Sequence, residues 1–135
     1  MSIELDDGRI ITGKTSPLLG ACSAALLNAI KALAGIPKET LLISPKVIAP
    51  IHDLKVKVLG GHNPRLHSDE TLIALAMSST ENADAKLAYD QLKKLKGVEA
   101  HSSVLLAQVD LDVYRKLGIN LTCEPRYQTK KLYHK

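Results

Sequence analysis

The sequence predicts a layered α/β domain that opens on a β-hairpin. Short apolar runs, Ile3-Glu4-Leu5 and Arg9-Ile10-Ile11-Thr12, flank Asp6-Asp7-Gly8 near the start. Runs with helical period then alternate with short strand-like runs, the pattern of helices layered on a sheet. The composition is 45% hydrophobic against 24% charged over 135 residues, a globular balance. That length is one domain, and it can bury roughly two-thirds of its unfolded surface without a disulfide or metal. Four Tyr with no Phe and no Trp leave a core of Leu, Ile, Val and Ala. They also disfavour single-strand nucleic-acid binding, which relies on stacking aromatics.

Taken in order, Asp6-Asp7-Gly8 suits the hairpin turn. The Ala/Leu-rich residues 18–34 predict a long helix, with Ser16 as N-cap, Pro17 at its first position and Gly35 as its stop. Residues 40–44 predict a short buried strand, and Pro45 and Pro50 bracket an irregular or briefly helical segment. Residues 54–59 alternate apolar side chains with Lys, and residues 60–65 form a loop on composition. Ser68 caps a helix with Asp69 and Glu70 in its first turn. A further helix spans about residues 82–95 and ends in lysines before Gly97. Residues 98–107 read as strand, 110–117 as a short helix closed by Gly118, and 119–123 as a last strand.

The net charge of +4 owes much to the end of the chain, where Arg126, Lys130, Lys131 and Lys135 follow Glu124 without another acid. Such a tail is a solvated segment or an attractor of phosphates and acidic partners. Cys22 and Cys123 are too few and too far apart for a disulfide framework. Cys22 falls in an apolar helical pattern and reads as packing. No secretory leader pattern follows Met1, and no uncharged apolar run is long enough to cross a bilayer. The expected location is the cytoplasm.

Residues 8–15, Gly-Arg-Ile-Ile-Thr-Gly-Lys-Thr, satisfy the phosphate-loop pattern. A working loop must curl its four variable residues around phosphates. Here they include two isoleucines that prefer extended geometry, and Asp-Asp-Gly is a better hairpin turn than strand end. Nucleotide binding of that kind is therefore disfavoured. A simpler expectation survives: Lys14, Thr15 and Ser16 between a strand and a long helix make an anion site.

Residues 60–70 gather His62, Asn63, Arg65, His67, Asp69 and Glu70 around a loop and a helix start. Arg65 can hold a carboxylate or phosphate, and His67 can move protons near neutral pH. A metal held by His62 and His67 is the weaker expectation, since their spacing is not a strong zinc pattern. His101-Ser102-Ser103 lacks the nucleophile elbow of a hydrolase.

Several strings carry a resemblance: Thr12-Gly13-Lys14-Thr15-Ser16, the run from His62 through Asn63-Pro64-Arg65-Leu66-His67-Ser68-Asp69 to Glu70, and Glu99-Ala100-His101-Ser102-Ser103-Val104. Gly118-Ile119-Asn120-Leu121-Thr122-Cys123-Glu124-Pro125 and the final nine residues from Tyr127 complete them. Together they resemble the closing part of the bacterial family catalogued as domain of unknown function 1846. The resemblance implies that the chain is the C-terminal subdomain of a longer protein. It also implies an α-β-α sandwich with cytidine-deaminase-like topology, and it assigns no catalytic residues. Zinc deaminases place Cys or His-x-Glu at the helix after the hairpin and Pro-Cys-x-x-Cys after the next strand. This sequence has Thr15-Ser16-Pro17 and Pro45-Lys46-Val47 there, so the zinc site is missing and zinc deamination is rejected.

The leading expectation is a domain that contributes to a site for an anionic or phosphate-bearing small molecule. Lys14, Thr15, Ser16, Asn63 and Arg65 are its ligand-binding candidates, and His67 is its acid or base. No metal and no named cofactor are part of that expectation. Surface from an N-terminal portion of the parent protein or from another subunit would complete the site, with homo-oligomerisation open. The alternative is a non-catalytic scaffold or oligomerisation domain whose apolar helices and cationic tail dock other domains.

Overall fold

The computed structural model describes residues 1–125. The expected hairpin is present: β1 (Ser2–Glu4) pairs antiparallel with β2 (Ile10–Thr12), Ile3 opposite Ile11. Gly8 takes φ 91° at the turn, a left-handed conformation that favours glycine. The sheet is completed by β3 (Glu99–Ser102) and β4 (Asn120–Cys123) in the order β2-β1-β3-β4. β1 runs antiparallel to β3, whereas β3 and β4 are parallel. A parallel pair needs a crossover, supplied here by α5 (Gln108–Lys116). Strand residues alternate in burial. Ile3, Ala100 and Ser102 are buried, while Glu4, Ile10, Thr12, Glu99, His101, Asn120 and Thr122 face solvent. The described residues thus form an α/β domain with a mixed four-stranded sheet and five α-helices.

The central helix, α1 (Ala21–Ala34), buries Ala25, Leu26, Ala29 and Ile30 completely. Its small residues let the end of β2 come very close. A Cβ built on Gly13 would lie 2.1 Å from the Ala25 nitrogen, so no side chain fits there. Gly35 ends α1 in the left-handed conformation, as expected. The start differs from expectation. Gly20, and not Ser16, is the N-cap, because residues 18–20 pair their backbone with Leu66 instead. Leu66 N–H donates to Leu18 O and Gly20 N–H donates to Leu66 O, both at 3.1 Å. Ser16 Oγ instead accepts from the Leu18 and Leu19 N–H groups and closes its own turn.

Residues 40–44 form no strand. Lys31 Nζ donates to the Lys38 and Thr40 carbonyls at 2.7 and 3.1 Å, tying this stretch to α1. Leu42 and Ile43 are buried as loop residues, and Ser44 caps α2 (Pro45–Asp53) by accepting from Lys46 N–H. The chain then widens into a π-helical turn, Leu54–Val58, where Leu59 N–H reaches Leu54 O. α3 (Ser68–Ser78) follows the loop. The helix expected over 82–95 divides into α4 (Ala83–Tyr89), capped by Asn82, and a 3-10 turn, Leu92–Leu95, that brings Leu95 into the core. The strand expected over 98–107 stops at Ser102, whose hydroxyl bonds both backbone groups of Val104 and curls the chain off the ladder.

The scarcity of aromatics gives one of them a central place. Tyr114 of α5 is fully buried, and its hydroxyl donates to Cys22 O at 2.8 Å, joining α5 to α1. No helix among the described residues is long and apolar enough to cross a membrane. The cationic tail from Arg126 lies outside the described residues.

Candidate functional site

Three helices, α1, α3 and α5, begin around one cleft of about 590 Å³. Its walls are Thr15, the first turn of α1 (Gly20, Ala21, Cys22), Asn63, Arg65 and His67, and the loop from Ser102 to Ala107 that leads to Asp110. No side chain caps the N-terminus of α1 or of α5, and α1 has no acid in its first turn. Helix starts carry unpaired N–H groups and the positive end of the helix dipole, here set against Asp110 in the first turn of α5 and Asp69 and Glu70 in that of α3.

The loop is held in place by its own polar groups. Asn63 Oδ1 accepts from the Arg65 N–H at 3.1 Å, and Arg65 Nε donates to Ser16 O at 2.7 Å. Lys55 Nζ donates to the Arg65 carbonyl and pairs with Glu70 at 2.8 Å. Glu70 Oε1 in turn accepts from His67 N–H at 2.8 Å, which fixes the start of α3. The guanidinium of Arg65 is therefore anchored through one nitrogen at the cleft wall.

His67 meets a buried acid. Its Nδ1 lies 3.3 Å from Asp110 Oδ2, while Asp110 Oδ1 accepts from the Ser68 N–H at 2.9 Å and from the Ser68 hydroxyl. Asp110 is 7% exposed, whereas the His67 side chain keeps 36% of its surface in solvent. The arrangement joins α3 to α5 and presents an oriented imidazole to the cleft. Cys22 is different in character. Burial, reinforced by the Asp110 charge, pushes its thiol up to about 12, so it stays a neutral packing group. Burial likewise holds the Tyr114 phenol well above its ordinary range.

Of the residues singled out in the sequence, Thr15, Asn63, Arg65 and His67 line this cleft. Ser16 touches it only through the carbonyl that holds Arg65. Lys14 is exposed and does not line it. The phosphate-loop match is spread over a hairpin turn at Gly8, a strand at Ile10–Thr12 and a packed Gly13, with α1 beginning only at Ala21. Nothing there curls around a phosphate. His62 is exposed and outside the cleft, and among the described residues no three His, Cys, Asp or Glu side chains group as metal ligands. His101 turns to Thr122 Oγ1 at 2.7 Å and Ser102 to Val104, so no nucleophile pair forms.

Sequence reasoning missed Asp110 and the loop from Ser102 to Ala107. An acid in the first turn of a helix is routine, and the 43 residues between His67 and Asp110 are spanned only by the fold. A second hollow, about 490 Å³, lies on the open sheet face, but its ionisable residues Glu4, Glu99, His101 and Arg115 are all exposed. The cleft, with its buried acid, is the better-built site.

Comparison with known proteins agrees with the strings noted in the sequence. The model of the C-terminal domain of unknown function DUF1846 matches residues 1–133. A UPF0371 protein of Streptococcus thermophilus is 56% identical over 135 residues, all of this chain and 27% of that protein. A UPF0371 protein of Streptococcus pneumoniae serotype 4 is 55% identical, again over the whole chain and 27% of its own length. The chain thus spans about a quarter of these curated relatives. By the near-complete match to that model, the chain belongs to the DUF1846 family and corresponds to its C-terminal domain.

Proposed function

We propose that the cleft binds an anionic small molecule, with a phosphate or carboxylate group held by Arg65 and the first turn of α1. Thr15 and Asn63 border that group, and His67 serves as acid or base beside it. The observation that carries this reading is the meeting of Arg65, two helix starts without side-chain caps and an Asp-oriented His in one cleft. Binding would be completed by the remainder of the full-length protein or by another subunit, since the chain is 27% of its relatives' length. A cytoplasmic setting belongs to the same proposal. So does a cytidine-deaminase-like topology, supported by the strand order β2-β1-β3-β4 with a leading hairpin. The test is a thermal-shift and calorimetric screen of phosphate, nucleotides and acidic metabolites. Binding that Arg65→Ala abolishes supports the reading, and no response in either the chain or a full-length relative contradicts it.

A scaffold reading is favoured by one feature, the exposed apolar side chains Val58, Leu59, Ile73 and Met77. Sedimentation of the chain, alone and with the remainder of a full-length relative, tests it. Self-association or complex formation lost on Ile73→Asp supports docking through α3.

A further inference from the structure

We infer that Asp110 is a positioning residue that pins the neutral His67 ring as its Nδ1–H tautomer, turning Nε2 into an acceptor for a ligand hydroxyl. The ligand class that fits is a hydroxylated phosphate monoester. This rests on the anion-binding reading above and adds to it the tautomer and the hydroxyl.

The inference follows from counting donors. An ionised carboxylate only accepts hydrogen bonds. Ser68 supplies two donors to Asp110 Oδ1, and the donor facing Oδ2 is His67 Nδ1 at 3.3 Å. Were Nδ1 bare, two acceptors would face each other, and Oδ2 of a carboxylate that is 7% exposed would be left without its donor at a desolvation cost. The proton on a neutral ring therefore sits on Nδ1. Nε2 is at the other edge of an imidazole that lines the cleft, and it has no protein partner among the described residues. A bare Nε2 can only accept, so it selects a ligand that offers O–H or N–H. Arg65, two residues earlier on the same wall, selects the anionic end. An anion with a neighbouring hydroxyl satisfies both, whereas an alkyl phosphate satisfies one.

The experiment has two parts, both on the whole chain. Ring-nitrogen NMR of the ligand-free protein, recorded on the neutral ring, reads the tautomer directly. The expected result is Nδ1–H for His67, changing to Nε2–H in Asp110→Asn, whose amide would donate to Nδ1. Calorimetry then compares glycerol 3-phosphate with n-propyl phosphate, which share charge and size but differ in hydroxyls. The hydroxylated ester should bind about tenfold tighter, a difference of about 1.4 kcal/mol. That preference should vanish in Asp110→Asn and in His67→Asn, the latter keeping a donor to Asp110 while deleting Nε2. An Nε2–H tautomer in the wild type overturns the positioning role whatever binds. Equal affinity for the two esters overturns the hydroxyl selection and leaves anion binding intact. If neither ester binds the chain or a full-length relative while the ring is Nδ1–H, the anion-binding reading fails, and the ligand class falls with it.

Discussion

Two segments of this chain carry residue types suited to holding an anion, and the fold puts them to different uses. Residues 8–15 match a phosphate-loop pattern, yet Gly13 is pressed against α1 and Lys14 is exposed outside the cleft lining. Residues 60–70 match no strong pattern, yet they place Asn63, Arg65 and His67 on the wall of a cleft beside a buried acid. What separates them is what each segment packs against. A glycine required for close packing cannot also leave its N–H groups open to a phosphate; Gly13 N–H donates to Met1 O at 2.9 Å. In the second segment, Lys55 and Glu70 brace the backbone and the Ser16 carbonyl holds one nitrogen of Arg65, while the side chains of Arg65 and His67 remain at the cavity. Spacing in sequence names candidates; bracing from behind decides between them.

The largest expected effect breaks the first segment. Gly13→Ala places a Cβ against the Ala25 backbone, and overpacking of this kind costs about 3 kcal/mol or more. Thermal melts should show a strongly lowered Tm or no folded protein, and a near-native melt would show that β2 and α1 can move apart. Next comes the contrast between the two cations. Arg65→Ala should weaken binding of a phosphate monoester about tenfold or more, as expected for loss of a charge-assisted contact. Lys14→Ala should leave it within about twofold. Equal losses by calorimetry would return the first segment to the site. The smallest effect concerns the joint beneath the cleft. Tyr114→Phe removes one buried hydrogen bond to Cys22 O and should lower unfolding stability by about 1 kcal/mol, read by urea titration.

Much of the fold was legible where local chemistry is decisive. Asp6-Asp7-Gly8 marked the hairpin turn, Gly35 the end of α1, and the Ala/Leu-rich residues 18–34 the helix itself, which begins at Ala21. The misreadings share a cause. Ser16 has the chemistry of a cap, but residues 18–20 find a better partner in Leu66, 43 residues beyond Ser23, whose own hydroxyl also donates to Leu66 O. Residues 40–44 have strand propensity, but a lysine from α1 takes two nearby carbonyls. Both outcomes depend on non-local contacts that override propensity. The site divides the same way. Arg65 and His67 stood out by residue type and lie side by side in sequence, whereas Asp110 reaches them only through the packing of α5 on α3. A buried acid at a helix start looks like any other acid there until its partners are in place.

The central claim is that residues 60–70 and the start of α1, and not residues 8–14, form the anion site. Backbone amide NMR of the chain titrated with n-propyl phosphate tests it most directly. The account predicts saturable shifts at Thr15, Ala21, Cys22, Arg65 and His67, with Gly8 to Lys14 unmoved. Shifts concentrated at Gly8 to Lys14, or none at the cleft residues in either the chain or a full-length relative, would contradict it.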